Sequence, residues 1–314
     1  MSVLRNHAQA SWRRRAFLAA FTRTLGTSAL LSAPLASGAA LPAKVALSPP
    51  REGATVGGVI DLILKSIPGA PYKETVDTLK SGRPDQAVTG IVSTSFATVE
   101  VIGKAHALGA NFLIVHEPTY YNHLDQTNWL EGDPVYRHKR DLLERHGMAV
   151  WRFHDYWHAH RPDGVQMGVL TALGWEKYMN AQEEGVLNLP PAPLKEVVAH
   201  LKAKLGIRQV RVVGDPDQVC RRVVLFPGAA GGRNQIAALR RTEPDLFICG
   251  EVAEWETSEY VRDARAMGAK RSLVVLGHAV SEEPGMQWLV PWLQPKLPGI
   301  KITHLPAENP FVFM

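Results

Sequence analysis

The chain has 314 residues, 46% of them hydrophobic, which is enough apolar material for a large core and excludes a disordered chain. Its formal charge of +5 has a local origin: Arg5, Arg13, Arg14, Arg15 and Arg23 lie within residues 1–40, which hold no acid. The remainder balances thirty basic against thirty acidic side chains, so no nucleic-acid partner is expected.

Residues 1–40 read as an export signal. Arg14-Arg15-Ala16-Phe17-Leu18 has the twin-arginine form, and Ala36-Ser37-Gly38-Ala39-Ala40 has the small side chains of a cleavage site. Arg23, Pro34 and several Ser and Thr interrupt this stretch, leaving no run of about 18 apolar residues to serve as a membrane anchor. The expected location is the periplasm, with the mature chain starting near Leu41.

The rest reads as two lobes, residues 41–190 and 191–314. In the first, Val56, Ile60, Leu62, Ile63 and Ile67 recur at helical spacing. Strands are expected at 87–92, 112–115 and 148–153, and helices at 98–108, 134–146 and 164–173, each helix followed by or ending near a Gly. In the second, strands are expected at 210–213, 223–226, 246–249 and 273–276. Helices are expected at 193–205, 233–240 and 257–267, with a short one at 285–290 before Pro291. The alternation predicts an α/β fold of two similar lobes, with mainly parallel sheets covered by helices. Ligands in such folds gather outside the carboxyl ends of strands, so a site is expected between the lobes.

Cys220 opens one expected strand and Cys249 closes another. In parallel neighbours the sulfurs would stand at opposite ends, about four residues apart at ~3.3 Å each. Two buried free thiols are expected, and no thiolate metal site.

Three segments place imidazole directly after an apolar strand. They are Leu113-Ile114-Val115-His116-Glu117-Pro118, Trp151-Arg152-Phe153-His154-Asp155-Tyr156-Trp157-His158, and Val274-Val275-Leu276-Gly277-His278 followed by Glu282. His278 and Glu282 are four apart, on one face if a helix has begun. Imidazole and carboxylate without thiolate suit Zn, Mn, Fe, Co or Ni, and a carboxylate can bridge two ions. His123 and His160 lie in loops beside these segments. Phe226-Pro227-Gly228-Ala229-Ala230-Gly231-Gly232-Arg233 follows a strand and opens a helix, so it is either a phosphate cradle or a tight turn. Tyr120, Tyr121, Trp129, Tyr156 and Trp157 flank the histidine segments, either to stack on a planar ring or to pack the core.

The stretches at 91–118, 149–158, 245–251 and 277–285, with Asn309-Pro310-Phe311, resemble the GTP cyclohydrolase I type 2 homologs, also called the NGG-interacting-factor-three-like family. The resemblance covers residues 54–314 and implies two α/β lobes with two divalent transition ions per chain between them, in a ring-forming hexamer. Carried over by position, the metal ligands are His116, Glu117, His158, His278 and Glu282. Two depart from the family pattern: Glu117 stands where a second His belongs, and His158 where an Asp belongs. If these positions serve one ion, the exchange conserves its ligand inventory. His154 is expected to orient a ligand, and Asp155 is one residue out of register for the Asp. Glu251, after Gly250 as in the family, is either the catalytic general base or a helix N-terminal charge. The resemblance implies a metal-dependent hydrolase acting on a small molecule, with a bridging water as nucleophile. A non-catalytic assembly protein or metal carrier is the alternative. GTP is not carried over as substrate, because an exported protein would be parted from the GTP pool.

Overall fold

The computed structural model describes residues 54–183 and 185–314; the expected export signal lies outside the described residues. The first half opens with α1 (Val56–Leu64), capped by the Thr55 hydroxyl, which accepts from Gly58 N. There follow β1 (Leu79–Ser81), β2 (Ile91–Thr94), α2 (Val99–Ala107), β3 (Phe112–Val115), α3 (Pro134–Arg145) and β4 (Ala149–Arg152). Two helices, α4 (Asp155–Ala159) and α5 (Gly164–Leu173), complete this half. β2, β3 and β4 are buried at every position, which is why they read as unbroken apolar runs rather than alternating ones.

The second half contains β5 (Val186–Pro193), α6 (Leu194–Leu205), β6 (Arg211–Val213), β7 (Val219–Phe226), α7 (Gly232–Thr242) and β8 (Leu246–Cys249). A π-helical turn at Glu254–Ser258 leads into α8 (Glu259–Ala266), then β9 (Ser272–Val275), α9 (His278–Leu293) and β10 (Ile302–His304).

The strands form two five-stranded sheets, ordered β1-β4-β3-β2-β10 and β5-β7-β8-β9-β6. In each, the inner strands are parallel and antiparallel strands stand at edges. The mixed α/β architecture with mostly parallel sheets is the one expected. β10 pairs with β2, so the chain visits the first sheet, builds the second and returns. Helices cover both sheets on both faces: α1 and α9 against α2 and α3 on the first, α5 and α6 against α7 and α8 on the second.

β5 was not expected, because Pro190 and Pro191 interrupt it. It survives as an edge strand, where a missing amide donor faces no neighbour. The short helix expected at 285–290 is instead the 16-residue α9, which starts at His278 and runs through Pro284 and Pro291. A helix-interior Pro costs on the order of 3 kcal/mol. Burial of Met286, Leu289 and Leu293 offsets this, at about 1.5–3 kcal/mol for each large side chain. Close packing on α5 depends on glycine: a Cβ at Gly168 would lie 2.3 Å from Pro284 O, and one at Gly285 would lie 2.6 Å from Val165 Cα.

Cys220 and Cys249 are buried free thiols at opposite ends of the parallel neighbours β7 and β8, and burial pushes them up to about 11 and about 12. Among the described residues no helix is long and apolar enough to cross a membrane.

Candidate metal centre

Four parallel strands deliver the site. His116 and Glu117 follow β3, and their amides continue its ladder by donating to Thr94 O and Ser95 O. His154 and His158 come from the turn after β4 and from α4, Glu251 from the turn after β8, and His278 and Glu282 from the first two turns of α9 after β9. Because α9 begins at His278, residues 278 and 282 share one face. The His278 Nε2 to Glu282 Oε2 distance is 3.0 Å.

His116 sits at the centre and is fully buried. Its Nδ1 lies 3.2 Å from Phe153 O. A carbonyl only accepts, so Nδ1 carries the proton and the other nitrogen faces the site. That Nε2 is 3.7 Å from Glu282 Oε1 and 3.9 Å from Glu117 Oε1, and it has no hydrogen-bond partner. His278 Nε2 reaches Glu117 Oε1 at 3.3 Å, and its Nδ1 meets Glu251 Oε2 at 3.2 Å.

Two groups of side chains are spaced to hold an ion, each with donor atoms within 4.8 Å of one another: His116, Glu117 and Glu282, and His116, His154 and His158. Glu117 and His158 therefore fall into different groups, although the positional carry-over pairs them on one ion. His154, expected to orient a ligand, lies within the second group. Asp155, out of register in the sequence, faces away: its carboxylate accepts from Thr75 Oγ1 and Val76 N and holds His154 Nδ1 at 3.0 Å. Asp163 holds His158 Nδ1 at 2.9 Å while its other oxygen caps α5 through Gln166 N.

Asp77 was not singled out from the sequence, yet it positions the second segment. Its carboxylate accepts from the amides of His154, Asp155 and Tyr156, the start of α4. Burial raises Asp77 to about 6 despite those bonds. Arg152 donates to His116 O and His123 O beneath the site. Nothing in the sequence marks either residue, because their role depends on contacts far along the chain.

The electrostatics differ across the centre. Burial opposes charge on His116 and His278, but the Glu282 and Glu117 carboxylates outweigh it and raise them to about 9 and about 11. Burial works against charge on Glu117 and Glu282 as well, and the same imidazoles hold both below the ordinary carboxylate range. Gly228 makes room for this cluster: a Cβ there would sit 1.8 Å from Glu282 Oε1.

The family described as Duf34/NIF3 (NGG1p interacting factor 3) matches residues 60–310. The chain belongs to this family. It is 23% identical over 266 residues to a GTP cyclohydrolase 1 type 2 homolog of Clostridium perfringens, a match spanning 80% of this chain and 97% of the relative. It is 24% identical over 251 residues to one of Chlamydia pneumoniae, spanning 74% and 90%. Among solved structures, a Bacillus cereus protein related to NIF3 superposes with a TM-score of 0.68 at 16% identity, covering 83% of this chain and 99% of that one. The protein ybgI, titled as of unknown function, superposes with 0.67 at 24% identity, covering 82% and 100%.

In this chain of the Duf34/NIF3 family, the buried group His116, Glu117 and Glu282 and the partly buried group His116, His154 and His158 could each hold a metal. The unpartnered, fully buried Nε2 of His116 tests the fit, since such a nitrogen among carboxylates lacks only a cation. Other sequence candidates resolve differently. The glycine-rich turn is not a free phosphate cradle: Gly232 N already donates to Glu256 Oε2, and Gly228 N to Ser281 Oγ. Tyr120, Tyr156 and Trp157 are core residues, whereas Tyr121 and Trp129 are exposed. His160 packs against Trp157, Trp288 and Trp292. The His123 ring stands edge-on to His154, with centroids 5.8 Å apart.

Proposed function

We propose that this protein is a metal-dependent hydrolase of a small molecule, with two divalent ions held by the cluster around His116, Glu117, His158, His278 and Glu282. The observation that carries the reading is the buried, bare Nε2 of His116 facing two carboxylates and further imidazoles. Bound there, divalent ions would supply Lewis acidity to an electrophile and acidify a water. The protein's own groups would do the rest. Phe153 O and Glu251 each accept a hydrogen bond from an Nδ1–H, of His116 and His278 respectively, and so leave the Nε2 atoms facing inward. Glu251, half-exposed at the open side, is placed to receive a proton from the reacting water.

The experiment is elemental analysis of purified protein, followed by turnover across phosphoesters, nucleotides including GTP, and cyclic amides, with and without chelation. About two ions per chain and chelator-sensitive turnover are the expected result. A specific observation favours the alternative of a metal carrier or assembly protein: His116 is 0% and Glu282 3% exposed, which leaves little access for substrate. Tight, exchangeable metal without turnover would establish that alternative.

The reading includes a homo-oligomer, a ring hexamer, for which exposed Phe311, Val312 and Phe313 offer apolar surface. It also includes twin-arginine export to the periplasm. Replacing both Arg14 and Arg15 with Lys and fractionating cells tests the export route, and light scattering of the purified protein tests the assembly.

A further inference from the structure

His116, His154 and His158 bring three imidazole rings together, with centroids 4.7 to 5.0 Å apart. One nitrogen from each lies within 4.8 Å of the others. Every Nδ1 in this group is engaged by a group that accepts: Phe153 O at 3.2 Å, Asp155 Oδ1 at 3.0 Å and Asp163 Oδ2 at 2.9 Å. Each Nδ1 therefore donates, so Nε2 is the atom that each ring offers to a metal in its neutral form. The acceptors are themselves held, Asp155 by Thr75 and Val76, and Asp163 by Gln166 N. Carboxylates that lock the tautomer and orientation of a ring are what a metal-binding imidazole requires behind it.

His116 has one free nitrogen, so it can serve one ion only. If it joins the other two imidazoles, Glu117, His278 and Glu282 remain as a second set, joined by contacts of 3.3 and 3.0 Å. We propose that His116, His154 and His158 form a three-imidazole site for one borderline ion, Zn2+ or Co2+, and that Glu117, His278 and Glu282 hold the other. His154 is then a ligand rather than a residue that orients one. The two positions differ in chemistry: three nitrogens favour zinc, cobalt or nickel, whereas two carboxylates with one imidazole also suit manganese or iron. This rests on the reading that the cluster binds metal, but not on turnover.

The test uses the full chain, stripped of metal and given one equivalent of Zn2+, with X-ray absorption at the zinc edge to count imidazole ligands. The count expected is about three. With two equivalents, His154→Ala is expected to bind one ion fewer per chain than wild type, and Asp155→Asn to weaken zinc binding about 10–100-fold. Wild-type protein that binds two ions, and a folded His154→Ala that still binds both with an unchanged nitrogen count, would overturn the proposal while leaving the metal reading intact. Wild-type protein that binds no zinc would overturn both. Where His154→Ala does not fold by circular dichroism, the wild-type nitrogen count decides: about three supports the site and one imidazole overturns it. Absence of turnover in the substrate panel bears on the hydrolase reading alone.

Discussion

His116 joins two corners of one site that treat the same side chain in opposite ways. On the carboxylate side, Glu117 and Glu282 hold protons on His116 and His278 up to about 9 and about 11. On the imidazole side, burial, with His116 and His158 as like-charged neighbours, pushes His154 down to about 4 even though Asp155 favours its charge. The first corner balances its charges internally until a cation displaces the protons. In the second, His154 is already deprotonated at neutral pH. Proximity to a carboxylate does not by itself decide the state of a histidine; the number of carboxylates against the cost of burial does.

The sharpest way to break the comparison is Glu282→Ala, which removes the carboxylate facing both protonated imidazoles. In metal-free protein an uncompensated buried charge costs on the order of 3–5 kcal/mol, read by urea denaturation. A loss below about 1 kcal/mol would show that the corner is not held by charge. Gly228→Ala acts on the same carboxylate through space. The left-handed backbone at φ +70 and the clash with Glu282 predict about 1–3 kcal/mol and loss of the carboxylate-side ion, with the imidazole-side ion retained by elemental analysis.

Asp163→Ala tests the other corner. It removes the cap of α5, worth about 0.5–2 kcal/mol, and frees His158 Nδ1, so zinc affinity should fall about 10–100-fold with manganese uptake unchanged.

Acidity separates the corners by sign. Raised imidazoles contribute stability that is complete below their unfolded value near 6.5 and is lost as pH climbs through about 9 and then about 11. Lowered carboxylates contribute above about 4.5, and this is lost on acidification. His154, depressed to about 4, makes stability rise with pH between about 4 and 6.5 and adds no alkaline loss. Melting of metal-free protein should therefore peak between about pH 6 and 8. Metal-loaded protein should keep its melting temperature through pH 9, since the imidazoles have already given up their protons. Equal alkaline losses with and without metal would contradict the assignment.

The smallest stability effect belongs to Glu251→Gln. Its side chain is half-exposed, so stability should change by less than about 0.5 kcal/mol. If Glu251 moves a proton in turnover, kcat should fall about 100-fold with metal content unchanged.

Much of this was legible in the sequence. Buried parallel strands announce themselves as short apolar runs, and Gly109 and Gly174 mark helix ends because left-handed backbone follows the last turn. Three of the four edge strands were not legible, β1 and β10 being three residues long and β5 carrying three prolines, whereas the edge strand β6 falls within the strand expected at 210–213. The start of α9 was misjudged because local propensity treats Pro284 as a break, whereas packing against α5 and the first sheet carries the helix through it.

By itself the sequence determined which three segments carry histidine to one edge, because a histidine that follows a buried strand in an α/β fold emerges at the carboxyl edge where ligands gather. Which of them share a position was decided only in three dimensions. The reach of Asp77 to α4 and the entry of His154 beside His116 and His158 join residues distant in the chain. So does the space Gly228 leaves for Glu282. Spacing along a chain sets the periodicity of one element, while distances between elements follow from how the sheets and helices pack.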